Sequence, residues 1–273
     1  METSDFYGTE KVSRILLKIA PPVMLAQLIQ ALYNIVDSFF VGKYSETGLT
    51  ALSIIYPVQL LMIALGVGTG VGINTDMAYY LGIGKKKKAE EVAGTGTPLG
   101  LILWIIFAAV CYVTLPAYAG MSTDSPEVIR DVVAYGRIVC LFSIGLFTEG
   151  IWSKILQAEG DMRTPMIAQI AGAVVNIILD PLLIFGMLGM PEMGISGAAV
   201  ATVSGQIVAA LIVMKKAWYR SPRRSCYPGH IKRIYQLGIP NIIMQSAYTL
   251  YILGLNLILA GFSDQAVTAL GLY

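Results

Sequence analysis

Charge is what this sequence has least of. Only 13% of its 273 residues are Asp, Glu, Lys or Arg, whereas 56% are hydrophobic, and the mean hydropathy is +0.68. A soluble domain of this length would carry roughly twice that share of charged residues. The scarcity of charge excludes an ordinary soluble protein and indicates a chain that folds in a lipid bilayer.

The sequence is also poor in the side chains that hold metal ions. It has one histidine, His230, and three cysteines, none of them in a CxxC spacing. Metal sites need such residues in clusters, so we expect no metal site. The net charge is only +2, and the basic runs are explained by membrane topology rather than by a nucleic-acid partner.

Long apolar stretches are what the sequence has instead. Seven of them approach or exceed the ~20 residues that a membrane helix needs. They lie at 23–41, 49–81, 97–119, 132–153, 165–187, 195–214 and 234–262. The second is too long for one straight crossing, and Pro57 with four nearby glycines predicts a bent or tilted helix. The sequence therefore predicts an all-α integral membrane protein, a polytopic helical bundle.

Basic residues fall mainly on one side of this predicted bundle. If the N-terminus is cytoplasmic, sixteen of the nineteen lysines and arginines lie on the cytoplasmic side, and the exceptions are Lys43, Arg130 and Arg137. Positive residues are retained on the cytoplasmic side of membrane proteins. We therefore expect a multi-pass protein of the bacterial cytoplasmic (inner) membrane with its N-terminus in the cytoplasm.

An internal repeat occurs at an offset of 218 residues. The matched residues are Pro22 with Pro240, Gln27 with Gln245, and Tyr33 with Tyr251. Parallel repeats are typical of transporters, although two membrane entries can also match by chance. The repeat predicts a six-helix lobe at 1–218, a basic interlobe loop at 219–233, and the start of a second lobe at 234–273. We expect the chain to be the N-terminal part of a twelve-span protein.

Two aspartates stand inside apolar stretches, where water cannot solvate them. Asp37 lies in the first stretch and Asp180 in the fifth. A carboxylate at such a place costs ~2.5–3.5 kcal/mol on insertion scales, so we interpret both as parts of an ion or proton site. Burial and a second nearby carboxylate favour the protonated form of a carboxyl group, which makes reversible protonation the expected chemistry.

Helical spacing places neutral polar residues beside these aspartates. Tyr33 lies four residues before Asp37, and the two therefore share a helix face. Asn176 has the same relation to Asp180, and Thr202 reaches a similar depth in the sixth stretch. The sequence predicts one polar pocket from these five residues. The alternative is that each aspartate is satisfied separately, with no shared site.

Two further acidic residues lie toward the cytoplasmic ends of their stretches. Asp76 and Glu149 are candidates for a proton exit path, or they form ion pairs with Lys154 or with a basic loop. No Lys or Arg is predicted beside the deep aspartates, so we expect an acidic pocket that attracts cations.

Four segments of the chain carry a family resemblance. They read LYNIVDSFFVG, LQAEGDMRTPM, NIILDPLLIFG and GISGAAVATVSGQ, and in this order and spacing they resemble the multidrug and toxic compound extrusion family, in particular its DinF-like bacterial branch. The resemblance implies two six-helix lobes around a central cleft and cation-coupled export. It also implies that Asp37 and Asp180 lie in the coupling and substrate region, with Tyr33, Asn176 and Thr202 as neighbours.

The chain departs from that branch early in the seventh helix. A glutamate implied there by the resemblance is absent, and the polar residues are Asn241 and Gln245. This absence favours a proton as the coupling ion, with sodium as the alternative and no cofactor. The expected substrate is a small lipophilic cation, and the full-length antiporter is expected to be monomeric.

Two other protein classes share part of this pattern. An intramembrane aspartyl protease also needs two membrane aspartates, but its usual Tyr-Asp and Gly-x-Gly-Asp signatures are missing, since Val36 precedes Asp37 and Leu179 precedes Asp180. A lipid-linked oligosaccharide flippase would share the two-lobe fold, but it should place basic residues in its cavity to hold pyrophosphate. The predicted cavity is acidic, which favours an exporter that is not an enzyme.

Overall fold

Helices make up every regular element that the computed structural model describes, which covers residues 11–263 and residue 269. The helices are α1 (Val12–Tyr44), α2 (Glu46–Gly82), α3 (Lys86–Ser122), α4 (Pro126–Leu141), α5 (Ile144–Ala158), α6 (Arg163–Ile184), α7 (Ile195–Ala217) and α8 (Tyr227–Ala260). Short 3-10 turns lie at Met187–Gly189 and Arg224–Cys226. This architecture confirms the predicted all-α class.

The eight described helices provide six membrane crossings by length and composition, or seven if one bent pair forms a single span. Six of the helices are individually long and apolar enough to span a bilayer, and α4 with α5, which meet at a 45° bend, can form a seventh span. Residues 264–268 and 270–273 of the predicted second lobe lie outside the described residues. The chain is therefore a multi-pass membrane protein, and the predicted number of spans agrees with the fold over the described part.

The fourth predicted span is broken, which its apolar pattern did not reveal. Where a helix stops inside a membrane, the last carbonyl groups lose their helical donors and need others. Two side chains supply them here, since the Ser143 hydroxyl donates to the Cys140 carbonyl at 2.7 Å and the Trp104 indole N–H donates to the Leu141 carbonyl at 2.9 Å. The carbonyl groups at the bend thus obtain hydrogen-bond donors from neighbouring side chains.

The second predicted span is a single helix of 37 residues that continues through Pro57. A proline lacks the backbone N–H, so the carbonyl four residues earlier loses its helical donor. That carbonyl belongs to Ser53, and the Asn256 side chain of α8 donates to it at 3.4 Å. The start of α8 at Tyr227 also places the second half of the segment predicted as a loop, 227–233, inside a helix.

Glycines bring α6 and α7 into direct backbone contact. A Cβ on Gly172 would lie 2.7 Å from the Gly205 carbonyl oxygen, and a Cβ on Gly205 would lie 2.5 Å from the Gly172 carbonyl oxygen. Real side chains do not tolerate such distances, so only glycine permits this crossing. It positions the candidate site, because Asn176 follows Gly172 by one turn and Thr202 precedes Gly205 by almost one turn.

Candidate functional site

A cavity of about 420 Å³ lies between the helices. This volume is within the range of small-molecule binding sites, roughly 300–1,000 Å³. On α1 its wall extends from Pro22 to Asp37, which is ~22 Å along a helix. The remaining walls come from α2, α4, α5, α6, α7 and α8, so the cavity is elongated along the bundle.

One end of the cavity contains the predicted polar pocket. Tyr33, Asp37, Asn176 and Thr202 all line it. Asp37 is only 7% exposed, and its Oδ1 atom finds no hydrogen-bond donor among the described residues. This is the state in which a buried carboxylate is most costly, so a ligand or a proton at this atom would be strongly stabilised.

Asp180 belongs to the same pocket through Asn176. The Asn176 amide nitrogen donates to Asp180 Oδ1 at 3.3 Å and lies 3.5 Å from the Thr202 hydroxyl. Asp180 is fully buried and lies behind Asn176 rather than in the cavity wall. The arrangement connects α6 with α7 beside Asp180, while a site that Asp180 shares with Asp37 stays a prediction.

Sequence reasoning missed a fifth member of this wall. Tyr135 of α4 is 2% exposed and lines the cavity, and the Gln59 amide of α2 donates to its hydroxyl oxygen at 3.2 Å. The sequence did contain a signal for this contact, because Tyr135 and Gln59 are polar residues within apolar stretches. Because the fourth span breaks, the position of Tyr135 could not be read from an unbroken helical count.

The other end of the cavity contains a basic residue that the sequence did not place in the cavity wall. Lys154 lines this end together with Glu149 and Ser153. The two charged residues do not form the ion pair that was expected as one possibility. The Ser153 hydroxyl donates to Glu149 at 2.6 Å, and the Lys154 ammonium donates to the Gln157 side chain at 2.9 Å. The reason is helical geometry, since residues five apart point to different faces while residues three or four apart are neighbours.

Of the two remaining candidate residues, Gln245 lines the cavity and Asp76 does not. Asp76 is fully buried away from the cavity wall, and its Oδ1 lies 2.5 Å from Arg233 Nε, which agrees with a partner in the basic segment. Gln245 of α8 lines the cavity, and its amide donates to Asn241 at 2.6 Å. Over the described residues, no three His, Cys, Asp or Glu side chains come together as a metal-binding group.

Neutral amides dominate the polar surface of the cavity. Nine Asn and Gln side chains line it, so hydrogen-bonding groups are plentiful, whereas charge is confined to few positions. The lining carboxamides are Gln27, Gln30, Asn34, Gln59, Gln157, Gln169, Asn176, Gln206 and Gln245. The electrostatic preference of the cavity therefore depends on Asp37, Glu149 and Lys154, with Asp180 just behind the wall.

Comparisons with known proteins give a consistent family assignment. The sequence model of the MatE family matches residues 22–182. The probable multidrug resistance protein NorM of Thermotoga maritima is 28% identical over 243 residues, which is 85% of this chain and 52% of the relative. A protein named FAD transporter from Shewanella oneidensis is 27% identical over 201 residues, which is 72% of this chain and 44% of the relative.

A solved structure supports the same assignment. It is described as the inward-facing conformation of a multidrug resistance MATE family transporter of the MOP superfamily, and it superposes with a TM-score of 0.81 at 25% identity. The match covers 94% of this chain and 60% of that structure. The chain spans about half the length of the curated relatives it matches.

Proposed function

Since this chain belongs to the MatE family, we propose that it exports small organic cations across a bacterial cytoplasmic membrane in exchange for protons, with its N-terminus in the cytoplasm. The observation that carries the proposal is the Asp37 carboxylate, which lines the cavity while one of its oxygens lacks a donor among the described residues. A cation or a proton would satisfy this oxygen, and the two cannot do so at the same time.

Competition between the organic cation and the proton for Asp37 couples export of one to import of the other. Ionised, Asp37 attracts an organic cation, and Tyr33 one helical turn away adds an aromatic face that contributes ~0.5–2 kcal/mol to cation binding. Protonated, it releases that cation. The available driving force is about 1.4 kcal/mol per pH unit and, where net charge moves, about 2.3 kcal/mol per 100 mV.

Asp180 acts through Asn176 in this scheme. The Asn176 amide donates to the Asp180 carboxylate while its own Oδ1 has no donor among the described residues. Such oxygens also suit a sodium ion, which is therefore the second candidate for the coupling ion. Cation efflux from proteoliposomes with imposed proton or sodium gradients distinguishes the two, because only the coupling ion drives export in the absence of the other.

Lys154 is the observation that favours a different substrate class. A basic residue in the cavity would help to hold an anion, as in the flippase alternative or in a relative named as a transporter of FAD. Glu149 lines the same end of the cavity, however, and the opposite end is acidic. The cavity as a whole therefore favours a cation.

Acidification is expected to weaken cation binding. Protons neutralise the carboxylates at the acidic end of the cavity, so a fluorescent lipophilic cation should bind the purified protein at least about tenfold more weakly at acid than at alkaline pH, a loss of ~1.4 kcal/mol. Asp180→Asn should flatten this dependence, whereas Asp124→Asn, which changes an exposed residue, should not. Fluorescence titration across the pH range measures both. Tighter binding at low pH would refute the acidic-site mechanism.

Removal of the cavity lysine is expected to have the opposite effect. Lys154→Gln keeps an N–H donor at this position but deletes a positive charge from the cavity wall, so monovalent cations should bind about threefold to tenfold more tightly. Lys216→Gln is the matched control, because Lys216 lies outside the cavity wall and pairs with Asp161. Unchanged cation affinity together with lost binding of a phosphate-bearing ligand would favour the anionic substrate class instead.

A further inference from the structure

Glu149 and Lys154 are opposite charges on one helix that do not pair with each other. Both lie on α5 and line the same end of the cavity. The Ser153 hydroxyl donates to Glu149 at 2.6 Å, and the Lys154 ammonium donates to the Gln157 side chain at 2.9 Å. Each charge is thus held by a neutral neighbour. Charges inside a membrane bundle are costly and usually serve a function, so these two are candidates for contact with a ligand.

Packing against α2 fixes the position of Lys154. A Cβ on Gly70 would lie 2.8 Å from Lys154 Cγ and 3.0 Å from the Gly150 carbonyl oxygen, so glycine leaves the room that the lysine side chain occupies. One turn further along α2, the Asn74 amide donates to the Lys154 carbonyl at 2.8 Å. The stem and the backbone of Lys154 are therefore placed by α2, while its ammonium group bonds Gln157, which also lines the cavity.

Two glutamines near Glu149 present acceptors without donors. Gln169 of α6 and Gln206 of α7 line the cavity, and the side-chain oxygen of each is buried and has no hydrogen-bond donor among the described residues. Gln169 lies within reach of Glu149, and the Gln206 backbone packs on Gly145, one helical turn before Glu149. Buried acceptors of this kind are costly unless a ligand or water supplies a donor.

The unused groups at this end match the head group of an α-amino acid. An ammonium group has three N–H donors, and the available acceptors are the Glu149 carboxylate and two glutamine oxygens. A carboxylate only accepts hydrogen bonds, and a lysine ammonium has two N–H donors beyond one that is already engaged. Lys154 repels a simple cation and Glu149 repels a simple anion, whereas a zwitterion is attracted by both.

We propose that Glu149 and Lys154, with Gln169 and Gln206, form a subsite for the zwitterionic head group of an α-amino acid. The ammonium group of the ligand contacts Glu149 and the two glutamine oxygens, and its carboxylate contacts Lys154. The inference rests on the proposed function, since it specifies the exported compounds as organic cations that carry such a head group.

The distance between this subsite and the acidic end of the cavity sets the length of such a compound. Gln169 and Asn176 lie seven residues apart on α6 (176 − 169), which is ~10 Å along the helix. A ligand that spans them places its amino-acid head group at Glu149 and Lys154 while a second cationic group reaches Asp37. The compound then carries a net positive charge, in agreement with the cation preference of the cavity as a whole.

Three ligands that share an indole ring test the subsite without transport. L-Tryptophan carries the zwitterionic head group, tryptamine lacks the carboxylate, and indole propionate lacks the ammonium group. Isothermal titration of the purified complete protein in detergent at neutral pH measures the three affinities. Tryptophan should bind at least about tenfold more tightly than either analogue, because it alone satisfies both charges. This comparison needs no variant and therefore does not depend on the folding of one.

Neutral substitutions at the two charges should have opposite effects on the two analogues. Lys154→Gln should weaken tryptophan binding about tenfold and strengthen tryptamine binding about threefold to tenfold, because it removes the partner of the carboxylate and a charge that repels cations. Glu149→Gln should weaken tryptophan binding by a similar factor and strengthen the binding of indole propionate. Lys215→Gln, at an exposed position in the last turn of α7, is the matched control and should change none of the three.

Several results would contradict the subsite. Tryptophan that binds no more tightly than tryptamine would exclude a role for Lys154, and indole propionate that binds as tightly as tryptophan would indicate a simple anion site. An equal loss of all three ligands in Lys154→Gln would show that the lysine only stabilises the bundle. If the preference for tryptophan holds but proteoliposomes export no cation, the subsite stands and the proposed function fails. Cation export without that preference would leave the proposed function standing and refute the subsite.

Discussion

Asp37→Asn is expected to reduce proton-driven cation export strongly while the protein still folds and inserts. Asparagine keeps the size of the side chain but cannot bind and release a proton. It also removes the charge that attracts the substrate, so export by the complete protein in proteoliposomes should fall at least about tenfold, since each factor of ten corresponds to ~1.4 kcal/mol of lost interaction. Efflux of a fluorescent cation under an imposed pH gradient measures the loss.

A variant that preserves the charge provides the control for this result. Asp37→Glu retains a titratable carboxyl group one methylene further from α1, so it should keep part of the export activity that Asp37→Asn loses. Size-exclusion profiles of both variants check that folding is unchanged. Export by Asp37→Asn at the wild-type rate would show that coupling depends on another group, and Glu149 would then be the next residue to test.

The acidic end of the cavity was predictable because it depends on helical periodicity alone. Tyr33 and Asp37 are four residues apart on one unbroken helix, and the same spacing joins Asn176 to Asp180. A shared helix face follows from such spacing without knowledge of the neighbouring helices. The structure places Tyr33, Asp37, Asn176 and Thr202 in one cavity wall, while their roles in coupling stay predictions.

The end of the cavity that contains Lys154 and Glu149 was not predictable in the same way. Lys154 was assigned to the cytoplasmic side because basic residues collect there, and the sequence did not indicate that its side chain lines the cavity. The 45° bend between α4 and α5 contributes to this position. The bend is not encoded in hydropathy, since the apolar stretch at 132–153 continues across the break.

The sequence also did not reveal which glycines make contacts between helix backbones. The chain has 28 glycines, and in apolar helices they read as flexibility or as small packing residues. Only the structure separates those that touch another backbone from those that face open space. Gly205 touches the Gly172 carbonyl, whereas a Cβ on Gly120 of α3 would meet nothing within 4 Å. Substitutions at Gly205 and Gly120 can therefore test whether the glycine contact between α6 and α7 positions the site.

Gly205→Leu is expected to destabilise the protein and disrupt the pocket together. A leucine side chain would force α7 away from Gly172, and overpacking of this kind costs about 3 kcal/mol. The same displacement would separate Thr202 from Asn176, whose side chains lie 3.5 Å apart, so cation binding should weaken even in the fraction that stays folded. Gly120→Leu is the matched control and should leave both properties near those of the wild type. Thermal unfolding in detergent and fluorescence titration measure the two effects, and equal behaviour of the two variants would show that the glycine crossing does not position the pocket.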